Sequence, residues 1–182
     1  GGSTWGAKFT DYVPMVALAE STDVTNAFNS AVKIAANLGL GVEFPTDASY
    51  TISKMVNILP GVTYVEGNGT TITWASNMPS QGGIKLVHEW SKPPVTDFTI
   101  SGFTLDLNNQ KGVRGIWGED MSRVTIEDNN FINVGAARAI MLQAARMDVE
   151  DNIIQNNYVY GVNNNMTASN SDTAILISSK IS

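Results

Sequence analysis

Apolar positions follow two different rhythms along the chain. Between residues 24 and 38 they recur at helical spacing: Val24, Ala27, Phe28, Ala31, Ala35 and Leu38. Ser21-Thr22-Asp23 supplies N-cap chemistry ahead of them and Gly39 a C′ residue behind them, so the spacing predicts a helix over 22–38. From Gly41 onward the pattern changes to short apolar-polar-apolar segments punctuated by Gly, Asn, Asp and Pro, which predicts strands. One helix followed only by strands argues against a doubly wound α/β sheet.

The strand region repeats. Phe98-Thr99-Ile100 with Leu105, Val124-Thr125-Ile126 with Phe131, and Met147-Asp148-Val149 with Ile154 align without gaps. Ile100 to Ile126 spans 26 residues and Ile126 to Val149 spans 23. A second column, Arg114-Gly115-Ile116, Arg138-Ala139-Ile140 and Tyr160-Gly161-Val162, runs at 24 and 22 residues. A leucine-rich repeat has a similar period but a leucine and asparagine signature that is missing. Short strands joined by tight turns, once around per repeat, build a coil of a parallel β-helix whose rungs stack about 4.8 Å apart. The expected interior ladders are Phe98/Val124/Met147, Ile100/Ile126/Val149 and Leu105/Phe131/Ile154, with Thr99, Thr125 and Asp148 facing solvent. Asn129 and Asn152 are expected to share a corner slot that tolerates left-handed backbone. The helix is expected to cover the open first coil. The apolar strand Ala174-Ile175-Leu176-Ile177 lies near Ser182 without a matching cover, so further chain or another subunit is expected there.

Composition narrows the setting. Of 182 residues, 43% are apolar and only 15% charged, with no cysteine, which excludes disulfides and thiolate-ligated metal. No apolar run approaches the roughly 20 residues of a membrane-spanning helix, so no membrane insertion is expected. The net charge of −6 and scattered Lys and Arg give no basic stripe, so no nucleic acid is expected as partner. Gly1-Gly2-Ser3 reads as a cloning remnant or trimmed end.

Four segments carry a family resemblance: Trp5-Gly6-Ala7-Lys8, Asp23-Val24-Thr25-Asn26-Ala27-Phe28, Val42-Glu43-Phe44-Pro45 with Tyr50-Thr51-Ile52, and Gly61 through Gly69. In these the chain resembles the pectate-lyase-like superfamily of right-handed β-helices, in the form common in bacteriophage tailspikes and capsule depolymerases. The resemblance departs at Thr46-Asp47-Ala48-Ser49, where a Gly is usual, and at the apolar insertion over 11–20. It implies an all-β fold: a right-handed, single-stranded parallel β-helix with an N-terminal capping α-helix, truncated at its C-terminal end. Residues 1–40 would hold the N-terminal strand and helix, and 41–182 the coils of one continuous domain. It also implies a polysaccharide substrate, an extracellular or virion-tail location and a native homotrimer. Alternatives are a secreted bacterial polysaccharide lyase, hydrolase or epimerase, and a non-catalytic structural or adhesin β-helix. The catalytic motifs of polygalacturonase-type hydrolases are absent, so the resemblance transfers no catalytic residue.

Candidate chemistry is read from the residues themselves. Trp117-Gly118-Glu119-Asp120 sets a flat apolar face beside two carboxylates, with Asp106 one strand earlier; the alternative is a polar turn with a partly buried Trp117, and Asp106-Leu107-Asn108-Asn109 as an Asx turn. Asp106, Glu119 and Asp120 are the candidate catalytic residues; Trp117, Arg114, Arg138 and Trp90 are the candidate substrate-binding ones. Arg114 and Arg138 share a slot and would read an anionic sugar substituent or neutralise nearby acids. Glu127-Asp128 and Glu150-Asp151 are expected in matching slots, a spacing open to a Ca²⁺ site or a carboxylate pair; no other cofactor is expected. His88, the lone histidine, is a candidate general base or a structural residue.

Overall fold

The computed structural model describes residues 12–15, 18–89, 91–147, 149–163 and 174–179. A short strand β1 (Tyr12–Pro14) precedes the helix α1 (Thr25–Leu38), and the strands then come in triplets. The first two triplets are β2 (Gly41–Glu43), β3 (Ser49–Ile52), β4 (Val56–Ile58) and β5 (Tyr64–Glu66), β6 (Thr71–Trp74), β7 (Ile84–Leu86). Next come β8 (Thr96–Ser101), β9 (Thr104–Asp106), β10 (Lys111–Glu119) and β11 (Ser122–Glu127), β12 (Asn130–Ile132), β13 (Ala136–Ala144). The last is β14 (Ile153–Gln155), β15 (Tyr158–Val159), β16 (Ile175–Ser179). First members join β1 in one sheet, β1-β2-β5-β8-β11-β14; second members form β3-β6-β9-β12-β15 and third members β4-β7-β10-β13-β16. All of these strands pair in parallel. Three all-parallel sheets visited in rotation are consistent with a parallel β-helix.

Strand alternation sends one face of each sheet inward. The first sheet stacks Val42, Val65, Ile100, Ile126 and Ile154 in register. The second stacks Tyr50, Ile72, Leu105, Phe131 and Val159, and the third Val56, Ile84, Ile116 and Ile140. All but Ile154 and Val159 of these are buried. Trp74 is fully buried as well, its indole donating to the Arg114 carbonyl at 2.9 Å, so it is a packing residue.

The helix starts later than its spacing predicts. Residues 21–24 instead run along the free edge of β3: Ser21 N–H donates to the Ser49 carbonyl, Thr51 N–H to Thr22, and Val24 N–H to Thr51, at 2.8, 2.9 and 2.8 Å. Asp23 still serves the helix start, accepting from the Thr25 N–H at 3.0 Å. At the other end Gly39 takes the expected left-handed conformation, φ 66°. Phe28, Ala31, Val32 and Ala35 face the core, and Phe28 meets Phe44 edge-on at 4.9 Å, which in turn meets Phe103 at 5.1 Å. Asn29 covers the free edge of β4, accepting from Asn57 N–H at 2.8 Å and donating to the Met55 carbonyl at 3.1 Å.

The first two members of each expected ladder pair as read: Phe98 with Val124, Ile100 with Ile126, Leu105 with Phe131. The third members are different. Ile126 pairs with Ile154, 28 residues on, and Phe131 pairs with Val159. Met147 is an exposed loop residue, and Asp148 lies outside the described residues. The cause is a loop over 145–152 between β13 and β14, where the preceding coil needs only Asp120 and Met121 between β10 and β11. In the second column Ile140 pairs with Ile175, whereas Val162 bridges to Gly135.

The corner slot shifts accordingly. Gly102, Asp128 and Asn156 hold the left-handed conformation, at φ 78°, 55° and 53°, so the turn residue precedes the asparagine. Asn129 shares its slot with Asn157, and the two act alike. Asn129 donates to the Ile100 carbonyl at 3.2 Å while Asn157 donates to Ile126 at 2.8 Å. Asn129 Oδ1 accepts from Phe103 N–H at 3.2 Å, and Asn157 Oδ1 from Asn129 N–H at 3.1 Å. Asn129 is fully buried. Replacing it with Ala leaves the Phe103 N–H without its acceptor, so Asn129→Ala is expected to lower unfolding free energy by about 2 kcal/mol. Exposed Asn130→Ala, beside it, is expected to stay within about 0.5 kcal/mol. Urea unfolding of both variants checks this; equal effects would deny the asparagine ladder its role.

Candidate functional site

In the third sheet Ile84, Leu86, Ile116, Ile140 and Leu142 belong to the core, so Lys85, Trp117 and Met141 between them lie on the outer face. Lys85 pairs with Trp117, and Trp117 with Met141, which places them side by side on successive rungs. Arg114 and Arg138 also pair, and each folds over the residue three positions on. The Arg114 guanidinium lies 4.2 Å from the centre of the Trp117 ring, and Arg138 reaches the Met141 sulfur at 3.0 Å. The Lys85 ammonium approaches the same indole at 4.7 Å. Trp117 is only 5% exposed and so is not the open stacking platform its sequence context suggests. It supports cations instead.

Two cations thus lie on one indole, with Arg138 beside Arg114 on the next rung. Among the described residues no carboxylate lies within ion-pair distance of Lys85, Arg114 or Arg138. Burial, followed by repulsion from Arg138, holds the Arg114 guanidinium below its usual pKa, and Glu119 acts the other way. Glu119 sits two residues beyond Trp117 on the outer face, paired with Gln143 on the next rung. The indole N–H of Trp117 is buried with no acceptor among the described residues. A buried donor left unpaired costs about 1–3 kcal/mol. Three cations with only Glu119 acting against them, and a donor without acceptor among the described residues, describe an environment suited to an anionic, oxygen-rich group.

Asp120 follows Glu119 in the chain but belongs to a different structure. It is left-handed, φ 57°, and its carboxylate is buried. Oδ1 accepts the backbone N–H groups of Ala145, Arg146 and Met147 at 2.6, 2.8 and 3.1 Å. Oδ2 lies 3.3 Å from His88 Nδ1 and 3.8 Å from Arg146 Nε, and Arg146 also contacts His88 Nε2. Burial opposes the charge on Asp120, yet the three N–H groups and His88 together hold its pKa below the ordinary carboxylate value. Asp120 therefore anchors the 145–152 loop and is not placed as a proton donor. His88 was within reach of sequence reasoning only as a lone histidine. Its pairing with a carboxylate 32 positions away has no local signal.

The remaining candidates disperse. Asp106 stands on β9 in the second sheet, where Oδ1 accepts from Asn108 N–H at 2.8 Å and Asn133 Nδ2 at 3.0 Å. It does not join Trp117 and Glu119, because β9 and β10 belong to different sheets. Glu127 pairs with Gln155, which donates to it at 2.6 Å, so the expected stacking of Glu127-Asp128 on Glu150-Asp151 does not form. Glu150 and Asp151 lie in the loop and act on Arg123 instead. Among the described residues no group of three or more His, Asp and Glu side chains is arranged to hold a metal ion. Trp90 lies outside the described residues.

Comparison with protein-family models, with curated proteins and with solved structures finds no match for this chain.

The lowered pKa of Asp120 gives a signed prediction. A depressed carboxyl stabilises the fold above its unfolded pKa, about 3.9, and that stability is lost as pH falls through the folded value. Asp120→Asn keeps the shape and removes the charge. It is expected to lower stability at pH 7 by on the order of 2 kcal/mol, the difference fading below about pH 4. Urea midpoints of both proteins at pH 7 and pH 3 check it; an equal gap at both would assign the effect to shape.

Proposed function

We propose that this protein is a right-handed parallel β-helix that binds an anionic polysaccharide along the outer face of its third sheet and cleaves it. The observation that carries this reading is Lys85 and Arg114 on the Trp117 ring with Arg138 beside Arg114, none within ion-pair distance of a carboxylate among the described residues, and an indole N–H without an acceptor among them. In an acidic chain, such a local concentration of positive charge serves a negative group. Guanidinium pairs on successive rungs suit the carboxylate of a uronate. In this reading α1 is the N-terminal cap, and the fold is of the pectate-lyase-like kind found in phage tailspikes and capsule depolymerases. The native protein would be an extracellular or virion-tail homotrimer, which sedimentation of the native assembly tests.

Of the three candidate catalytic carboxylates, Glu119 alone shares the outer face with the cations. Glycoside hydrolysis ordinarily uses two carboxyl groups flanking the bond. One carboxylate beside several cations fits β-elimination better. Arg114 and Arg138 would neutralise the uronate carboxylate and so acidify the adjacent C–H. Glu119 would take that proton, and the glycosidic C–O bond would break with its electron pair leaving on the departing sugar oxygen. An unsaturated uronate end remains. The same single carboxylate also favours a second reading, a non-catalytic glycan-binding β-helix.

Arg114→Ala is expected to weaken binding to a uronate-containing polysaccharide at least tenfold, about 1.4 kcal/mol, and to reduce its salt dependence. Glu119→Gln is expected to retain binding and abolish the ultraviolet-absorbing product. Binding titrations and absorbance assays over a panel of uronate polymers decide the matter. Binding without product from the wild type selects the non-catalytic reading, and preference for neutral polymers would sink the anionic one.

A further inference from the structure

The helix α1 has a polar face as well as a buried one. Asn26, Ser30, Lys33 and Asn37 follow one another at helical spacing, all exposed, along the flank of the helix that borders the third sheet. Across from them stand Asn57, on the outer face of β4 between buried Val56 and Ile58, and the apolar pair Leu59 and Val87. Together they enclose a groove of about 630 Å³, within the size range of ligand clefts. A second hollow of about 240 Å³ shares Leu59, Val87 and Glu89 with the first and carries the groove on to Asn37. From Asn26 to Asn37 the helix rises about 16 Å. The two hollows therefore run along the helix rather than forming a single pocket.

Its chemistry differs from that of the cation cluster. Amide and hydroxyl side chains line the groove together with the aliphatic carbons of Leu59 and Val87. The charges present oppose one another: Lys33 on the helix faces a groove that Glu89 also lines, and Glu89 is already paired with Lys92 at 2.7 Å. Amides beside aliphatic carbons suit a ring that offers hydroxyl groups at its rim and C–H groups on its face. An extended peptide is the poorer fit, because strand addition needs an open edge. The edge of β4 facing the helix is taken by Asn29, which engages Asn57 N–H and the Met55 carbonyl.

Position adds a third observation. Asn57 is the register partner of Lys85, and Lys85 of Trp117. The groove thus opens onto the cation cluster, with Asn57 and Trp117 two rungs or about 10 Å apart. We propose that the groove between α1 and the third sheet is a subsite for neutral, hydroxyl-rich sugar units of an extended glycan. It rests on the function proposed above only in taking the ligand to be a glycan.

The test uses amide chemical shifts of the full chain, titrated with maltohexaose, cellohexaose and mannohexaose, and separately with oligogalacturonate. At least one neutral hexasaccharide is expected to shift Asn26, Ser30, Lys33 and Asn57. Ser30→Trp, which fills the groove from an exposed helix position, is expected to weaken that binding at least tenfold. Ile34→Trp, on an exposed part of the helix that does not line the groove, controls for the added indole and is expected to leave binding unchanged. Unaltered binding by Ser30→Trp overturns the subsite. So does a groove silent to all neutral sugars while oligogalacturonate shifts Trp117, a result that leaves the anionic reading standing. Neutral-sugar shifts at the groove with none at Trp117 from oligogalacturonate support the subsite and count against the anionic reading. Silence at both places counts against both proposals, and groove shifts produced only by extended peptides assign the groove to a peptide.

Discussion

Each strand in this structure finds its hydrogen-bond partners in the same slot one coil away, and that rung-to-rung register governs everything else. A slip of one residue would turn every inward side chain outward. The ladders of Ile, Leu, Val and Phe resist such a slip from inside. The asparagines resist it from the corner, since Asn129 and Asn157 can each reach the preceding coil's carbonyl only in one register. The first coil lacks a preceding partner, and the chain supplies substitutes: β1 beside β2, residues 21–24 beside β3, and the Asn29 side chain beside β4. Three different devices thus meet one requirement, that backbone groups at a buried edge be paired.

The same constraint decides what could be read from the sequence. Phe98/Val124, Ile100/Ile126 and Leu105/Phe131 were legible because slot-mates that share a core share hydrophobicity. Arg114/Arg138 was legible for the converse reason, since both precede an inward isoleucine by two positions. The third coil was misread because Met147 through Asn152 imitates the strand-and-corner pattern of Val124 through Asn129. The true match, Ile154-Gln155-Asn156-Asn157, begins five residues later than the imitation's own Val149. What separates the two is the anchoring of 145–147 by Asp120, a contact across more than two dozen residues that no local pattern encodes. The burial of Trp117 was open in the sequence as the alternative to a stacking platform, but its cause was not. Alternation places it outside correctly, but says nothing of arginines folding back over the sheet.

Asp120 also links the fold to the site. It directly follows Glu119, and its left-handed backbone ends β10 just where the outer face carries that carboxylate. His88, Asp120 and Arg146 lie just past the ends of β7, β10 and β13, so one polar cluster ties the ends of three consecutive rungs. Because the Asp120 carboxylate is buried and faces both His88 and Arg146, the cluster fixes the strand end. The separation of roles between two adjacent acids, one exposed to the cations and one locked into a loop, follows from strand alternation and the left-handed step together.

An acidic chain that concentrates cations in one place treats a polyanion differently at long and short range. The net charge of −6 repels it at a distance, but salt screens that repulsion beyond about 8 Å at physiological ionic strength. Contacts with Arg114, which is partly buried above an indole, are screened far less. On the proposed reading, an incoming carboxylate would offset the burial of Arg114 and its repulsion from Arg138. On that reading non-specific attraction would be weak, while a carboxylate delivered to one point would be held. On the proposed reading, selectivity among polyanions would then come from where along the polymer the charge sits relative to the neutral units, which is the quantity a cation cluster opening onto a polar groove is placed to measure.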